Sequence, residues 1–258
     1  MSVFELTQGQ SPLLISIPHD GGHIPAAIMK SMHAYAHNTP DRDLLISEVF
    51  NFHKQLDATR IKANISRYVV DLNRSSENKP LYPGQSETEL CPTTLFDHRP
   101  IYHDDQQPNQ QAIAERIQHY WQPYHDTIKA QIARIKALHG HCILIDAHSI
   151  APRVPRFFSG TLPDINVGTN SGVSCSPLIE DTVAESLSQQ NNFTHVINGR
   201  FKGGYITRNY GQPDDDVHTI QFEISQSTYL EDHTISKLTI ELRSVIQKIL
   251  GQFKSLTL

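Results

Sequence analysis

The sequence predicts an α/β fold, a three-layer α/β/α sandwich with a mixed central sheet, in a single domain over residues 1–258. Three observations predict it. Short apolar runs bounded by Gly, Pro or polar residues alternate with segments of helical periodicity, the pattern of strands and helices sharing one core. The run 141–146 is apolar on both faces, which suits a central strand covered by helices on each side. A chain of 258 residues is long enough to bury one substantial core.

Taken in order, Leu13 to Pro18 reads as a strand, Leu44 to Leu56 as a helix and Arg60 to Leu72 as an extended segment. The clearest helix runs from Gln110 to His139, with Ile113, Ile117, Trp121, Tyr124, Ile128, Ile132, Ile135 and Leu138 at steps of three or four. Pro123 lacks an amide donor and should bend or split that helix, and Gly140 should end it. The strand at His141 to Asp146 follows. Later strands are expected at Ile165 to Val167, His195 to Asn198 and Val217 to Ser225, and helices at Ser176 to Gln189 and Ser236 to Phe253. Two long segments without a period, Leu81 to Gln107 and Pro152 to Gly172, read as loops walling a pocket.

A net charge of −5 and a pI near 6.3 exclude general attraction to nucleic acid or to anionic membranes. With neither a leader-like apolar segment nor a run of membrane-spanning length, a cytoplasmic chain with no membrane partner is expected. Cys91, Cys142 and Cys175 lie far apart, outside CxxC spacing, and read as reduced thiols. The 15 histidines are many, but His33, His37, His53, His119, His139 and His233 have no partner motif and read as packing or surface residues.

Two strand ends present histidine: Ile17-Pro18-His19, followed by Gly21 and Gly22, and Asp146-Ala147-His148. Either alone is a polar turn histidine; together they suggest a metal site. In a zinc hydrolase three side chains hold the ion and an open position takes water, whose pKa falls to about 7. Asp146 and His148 share a strand face, so Asp146 either binds the ion or orients His148 from behind. Spacing leaves the third ligand open among His23, Asp41, Asp43 and Glu48.

Arg67 and Asn73-Arg74 bracket the apolar stretch Tyr68 to Leu72, and arginine's planar donor fork matches a carboxylate. The stretch Arg200 to Arg208, with glycines at 203 and 204, reads as an anion-binding loop or a hairpin. On Val217 to Ser225, Gln221, Glu223 and Ser225 share the face opposite Ile220, Phe222 and Ile224. Glu223 is then a solvated carboxylate or a general base.

The segments SIPHDGGHIP, SRYVVDLNR, LYPGQSETELCPTTLF, YWQPYHDTI, DAHSI, PRFFSGTLPDINVGT, NGRFKGGYITRNYGQP and QFEISQSTY occur in this order over nearly the whole chain. In them the sequence resembles the N-formylglutamate amidohydrolases. The resemblance implies a fold related to zinc carboxypeptidases and aspartoacylase, and a metal-dependent hydrolysis of N-formyl-L-glutamate to glutamate and formate in histidine degradation. The wider group's His-x-x-Glu ligand motif is broken here, because position 22 is Gly. The resemblance points to Asp43 as the replacing carboxylate, with Asp146 or His23 as alternatives. His19, Asp43 and His148 are thus the implied ligands of one divalent ion, and Asp146 the partner orienting His148. Zn²⁺ is expected, although the same donors accept Co²⁺, Mn²⁺ or Fe²⁺. Asn73 and Arg74 are implied to hold the α-carboxylate, Arg67 and Arg208 the side-chain carboxylate, and Glu223 to shuttle the proton. The partner expected is a small acidic N-acyl amino acid, and oligomeric state is left open. Two competing functions are hydrolysis of another N-acyl or N-formimino acidic amino acid, and metal-dependent binding without turnover.

Overall fold

Side chains alternate across a strand, so each strand sends its apolar residues to one or both faces of the sheet. The computed structural model describes residues 2–81, 84, 86–256 and 258, and Tyr82, Pro83 and Gln85 of the expected loop at 81–107 lie outside the described residues. Among the described residues, seven strands form the main sheet: β1 (Phe4–Thr7), β2 (Leu13–Ile17), β3 (Thr59–Ala63), β4 (Cys142–Ile150), β5 (Ile165–Gly168), β6 (His195–Ile197) and β7 (Val217–Ser225). Their spatial order is β1-β3-β2-β4-β7-β5-β6. β1 runs antiparallel to β3 and β5 antiparallel to β7, while the remaining neighbours are parallel. The sheet is therefore mixed, and the α/β expectation holds.

Leu13, Ile15 and Ile17 of β2, Ile143 and Ile145 of β4, and Ile220, Phe222 and Ile224 of β7 face one side. There they pack on helices Pro177–Ser188, through Val183 and Leu187, and Thr239–Phe253, through Leu242 and Ile246. Leu14, Cys142 and Leu144 face the other side and meet Tyr124, Ile128 and Ile135 of helix Gln122–His139. Every residue of β2, β4 and β7 is buried, as central strands covered on both faces require. The three cysteines are buried and free. Among the described residues, no helix is long and apolar enough to cross a membrane.

Several elements differ from the sequence reading. The long helix runs as Gln110–Arg116, a π turn at Ile117–Trp121 and Gln122–His139, helical through both junctions, so the π turn just before Pro123 is where the helix adjusts to a residue without a donor. Gly140 ends it at φ 81°, its N–H donating to Lys136 O. The helix expected over 44–56 shrinks to Ile46–Val49: Leu45 takes φ 59° and Asp20 accepts from the amides of Leu45 and Ser47, which sets its start, and residues 50–57 continue as turns. The extended segment ends at Ala63. Ser66 to Arg74 leaves the sheet as turns, with Val69 N bonded to Ser66 O and Arg74 N to Asp71 O.

β4 runs four residues beyond Asp146, and β1 adds an antiparallel edge not expected from the sequence. The parallel strands β2, β4 and β7 have their C-terminal ends on one edge of the sheet, β2 three residues short of the other two, and this is the edge where open α/β sheets place their ligand sites.

Candidate active site

On β4 and β7 one face changes character along its length. Cys142 and Leu144 give way to Asp146 and His148 on β4, while Val217 and Thr219 give way to Gln221 and Glu223 on β7. The parallel register sets Asp146 beside Gln221 and His148 beside Glu223. β2 lies on the other flank, with Ser16 beside Asp146, and two residues past its end the chain reaches His19. Asp43 is brought in by its own N–H, which donates to His19 O at 3.1 Å. The polar face of β7 is buried, so Glu223 is not a solvated carboxylate.

His19, Asp43 and His148 offer donor atoms that all lie within 4.8 Å of one another. Each imidazole commits Nε2 to a buried carboxylate: His19 to Asp71 Oδ1 at 2.7 Å and His148 to Asp146 Oδ1 at 2.8 Å. Both therefore turn Nδ1 toward Asp43, whose Oδ2 is 3.8 Å from His19 Nδ1 and 3.0 Å from His148 Nδ1. Asp43 Oδ2 also accepts Ser149 N at 3.0 Å, whereas Oδ1 is buried and has no hydrogen-bond partner. Two oriented imidazole nitrogens beside a carboxylate whose Oδ1 accepts no hydrogen bond, and lies 3.7 Å from Arg67 Nη1, fit a divalent cation with N and O ligands. His23 is exposed, with its backbone paired to Asn64 and Ser66, and Asp41 binds Tyr68 and Phe96. Glu48 is a surface partner of Asn51, so of those four candidates only Asp43 reaches the histidines.

The charges respond to one another. Burial opposes ionisation of Asp71, but the charges of His19 and Arg67 hold its carboxyl well below the usual range. Asp43 is likewise held low: burial is outweighed by the His148 hydrogen bond and by His19 and Arg67. His148 is raised well above the ordinary imidazole value, because Asp146 and Asp43 outweigh its burial. His19 is lowered by burial and by Arg67. The pocket thus favours positive charge between His148 and Asp43. Glu223 is pushed up to about 8 by burial, with Asp43 and Asp146 adding to the shift against His148 and Arg67.

A cavity opens above these groups, lined by His19, Asp43, His148 and Glu223 together with Arg67, Asn73, Arg74, Arg200 and the rings of Phe96, Phe157 and Phe201. Both long loops contribute to its wall. Arg67 is bound to Asp71 Oδ2 at 2.8 Å and lies over Phe96. Arg74 donates to Thr88 O and Asn73 O, and Arg200 to Phe157 O. Asn73 donates to Asp146 Oδ2 at 3.3 Å and sits 2.8 Å from His148 Nε2. Among the described residues lining this cavity Arg208 does not appear; it lies on the short helix Tyr205–Tyr210, with Nε donating to Gly203 O among its contacts.

The N-formylglutamate amidohydrolase family model matches residues 11–230. The chain belongs to the N-formylglutamate amidohydrolase family. It is 41% identical to the N-formylglutamate deformylase of Pseudomonas aeruginosa over 252 residues, covering 96% of this chain and 94% of that protein. It is 38% identical to the N-formylglutamate deformylase of Pseudomonas putida over 250 residues, covering 97% and 93%. The fold resembles the crystal structure of an N-formylglutamate amidohydrolase from Ralstonia eutropha JMP134, with TM-score 0.83 and 21% identity over 98% of this chain and 97% of that one. It also resembles a gene product of Agrobacterium tumefaciens, with TM-score 0.75 and 16% identity over 99% and 97%.

In this amidohydrolase three residues stand in the site without having been singled out from the sequence. Asp71 belongs to the same Asp-Leu-Asn-Arg run as Asn73 and Arg74, and a carboxylate inside an apolar stretch was its one signal. Gln221 shares the polar face of β7 with Glu223. Arg200 had only its place in the glycine-bearing segment.

Proposed function

We propose that this chain hydrolyses N-formyl-L-glutamate to L-glutamate and formate, with His19, Asp43 and His148 holding one divalent cation and Glu223 acting as the base. The activity named for relatives at 41% and 38% identity supports the substrate. The observation that carries the chemistry is the meeting of two imidazole Nδ1 atoms with the Asp43 carboxylate, whose Oδ1 accepts no hydrogen bond, in a cavity lined also by Glu223 and arginines. A divalent ion bound there would acidify a water molecule and polarise the formyl oxygen. Zn²⁺, Co²⁺, Mn²⁺ and Fe²⁺ all suit this donor set.

The chain's own residues do the rest. Glu223 takes a proton from the attacking water as its oxygen bonds to the formyl carbon. The same carboxyl then gives that proton to the nitrogen as the C–N bond breaks, releasing formate and the free amine. Asp71 and Asp146 hold His19 and His148 by their outer nitrogens and keep both rings aimed inward. Arg74 binds the α-carboxylate, whereas Asn73, expected to share that role, has its amide engaged by Ile206 N, Asp146 and His148. Arg200 takes the side-chain carboxylate, the role expected of Arg208, since Arg200 lines the cavity. Arg67, bound to Asp71, adds positive charge to the cavity wall for an anionic substrate. Anchoring both ends sets the formamide against the water and lowers the entropic cost of the reaction.

One purified preparation tests the proposal: metal content measured alongside formate release from N-formylglutamate and formamide release from N-formiminoglutamate. Formate release with about one divalent ion per chain is expected from three closed ligands and an open position. Formamide release as the faster reaction would overturn the substrate assignment.

A further inference from the structure

We infer that Gln221 is a positioning residue for Glu223, and that the turn at Gly204 to Ile206 sets its orientation. The inference rests on the reading of Glu223 as the base. A glutamine's oxygen and nitrogen are distinguished by their partners. The N–H of Gly204 donates to Gln221 Oε1 at 2.7 Å, so the amide nitrogen must face the other way, where Nε2 donates to Glu223 Oε2 at 3.0 Å. Gln221 is 4% exposed and Glu223 7%, so the hydrogen bond between them is made in a largely buried setting where its loss is costly. Gln221 engages Oε2, and Oε1 is the atom left to take the proton from water.

The same turn treats Asn73 alike. Ile206 N donates to Asn73 Oδ1 at 2.7 Å, which turns the Asn73 amide nitrogen toward Asp146 and His148. Two backbone donors, two residues apart, thus orient two side-chain amides, one toward the base and one toward a cation-facing histidine. Gly204 is needed for this approach, because a Cβ at that position would overlap the Asn73 amide. In the Arg200 to Arg208 segment, read from the sequence as an anion-binding loop or a hairpin, Gly204 lets backbone N–H groups approach buried amides.

Gln221→Met keeps the volume and removes both hydrogen bonds. Its kcat for N-formylglutamate should fall about ten- to a hundredfold, the effect of losing a hydrogen bond to a charged group. KM and bound metal should stay near the parent values, and the Gln221→Met/Glu223→Gln double variant should be no slower than Glu223→Gln. Gln221→Glu, which still accepts from Gly204 but repels Glu223, should lose kcat similarly and serves if the Met variant does not fold. An unchanged kcat in either folded variant, or a further loss in the double variant, would overturn the inference. Full activity in Glu223→Gln alone would overturn the base assignment together with it. Loss in Glu223→Gln with none in the Gln221 variants would overturn the positioning role and leave the base assignment standing.

Discussion

Asp71 Oδ1 lies 2.7 Å from His19 Nε2, and this buried pair repeats on the other side of the site the pair made by Asp146 and His148 at 2.8 Å. Two carboxylates on two different segments thus fix two imidazoles so that each presents Nδ1 to Asp43. On the proposed reading, Asp71 holds one cation ligand in orientation through that ligand's outer nitrogen. Asp71→Asn should weaken divalent-ion affinity about 10- to 100-fold, read by competition with a chromophoric chelator. It also leaves the Arg67 guanidinium, 8% exposed, without its closest anion, so a lower melting temperature should accompany the loss.

Removing the ion by dialysis against a chelator should abolish formate release, and adding back a divalent cation should restore it. The melting temperature should rise with added cation, since an ion at 100 times its Kd stabilises the folded chain by about 2.7 kcal/mol. His148→Ala should lose both activity and the cation-dependent rise.

Glu223→Gln keeps the shape of the side chain and the strand pairing to His148 but cannot take a proton. Turnover should fall about 10²- to 10⁴-fold, the usual contribution of a general base, while metal content stays at the parent level. Formate assay and metal analysis on the same sample check both halves.

Three arginines separate by their placement. Arg74→Ala and Arg200→Ala should each lower kcat/KM for N-formylglutamate about 10- to 100-fold, the cost of one charge-assisted contact to a carboxylate. Arg208→Ala should stay within about threefold of the parent, because Arg208 is not among the described residues that line the cavity. Kinetics of the three variants side by side distinguish this assignment from the one that the sequence suggested.

His125 is buried between Tyr210 Oη and Leu72 O, and burial pushes its ring down to about 3 from an ordinary value of 6.5. Between those values the unfolded chain carries a proton that the folded chain does not. Stability is therefore full above pH 6.5 and declines as the pH falls below it, by up to about 1.4 kcal/mol per pH unit from this group. Thermal melts of His125→Gln between about pH 4 and 7 should show a shallower acid slope than the parent.

Much of the fold was legible because its signals are local. The period of two in 217–225, the apolar run at 142–146 and the steps of three and four along 110–139 each depend only on near neighbours in sequence. Glu223 and the strand-end histidines were readable for the same reason. The choice among His23, Asp41, Asp43 and Glu48 was not a matter of pattern at all, and only the resemblance pointed to Asp43. The turn at 66–74 looked extended because its apolar residues suit a strand equally well; what bends it is Asp71 gathering Arg67, Asn73 N and His19 onto one carboxylate.

By itself, then, the sequence determined the α/β class, the strands that carry the site and the family to which the chain belongs. The tertiary structure decided which side chains meet. Asp71 reaches His19 across 52 residues, Asp43 reaches His148 across 105 and Asn73 takes its orientation from Ile206 across 133. Such pairings depend on the parallel register of β2, β4 and β7 and on the path of the turns between them. Periodicity carries no information about either, because it reports which face a residue occupies and not what stands opposite.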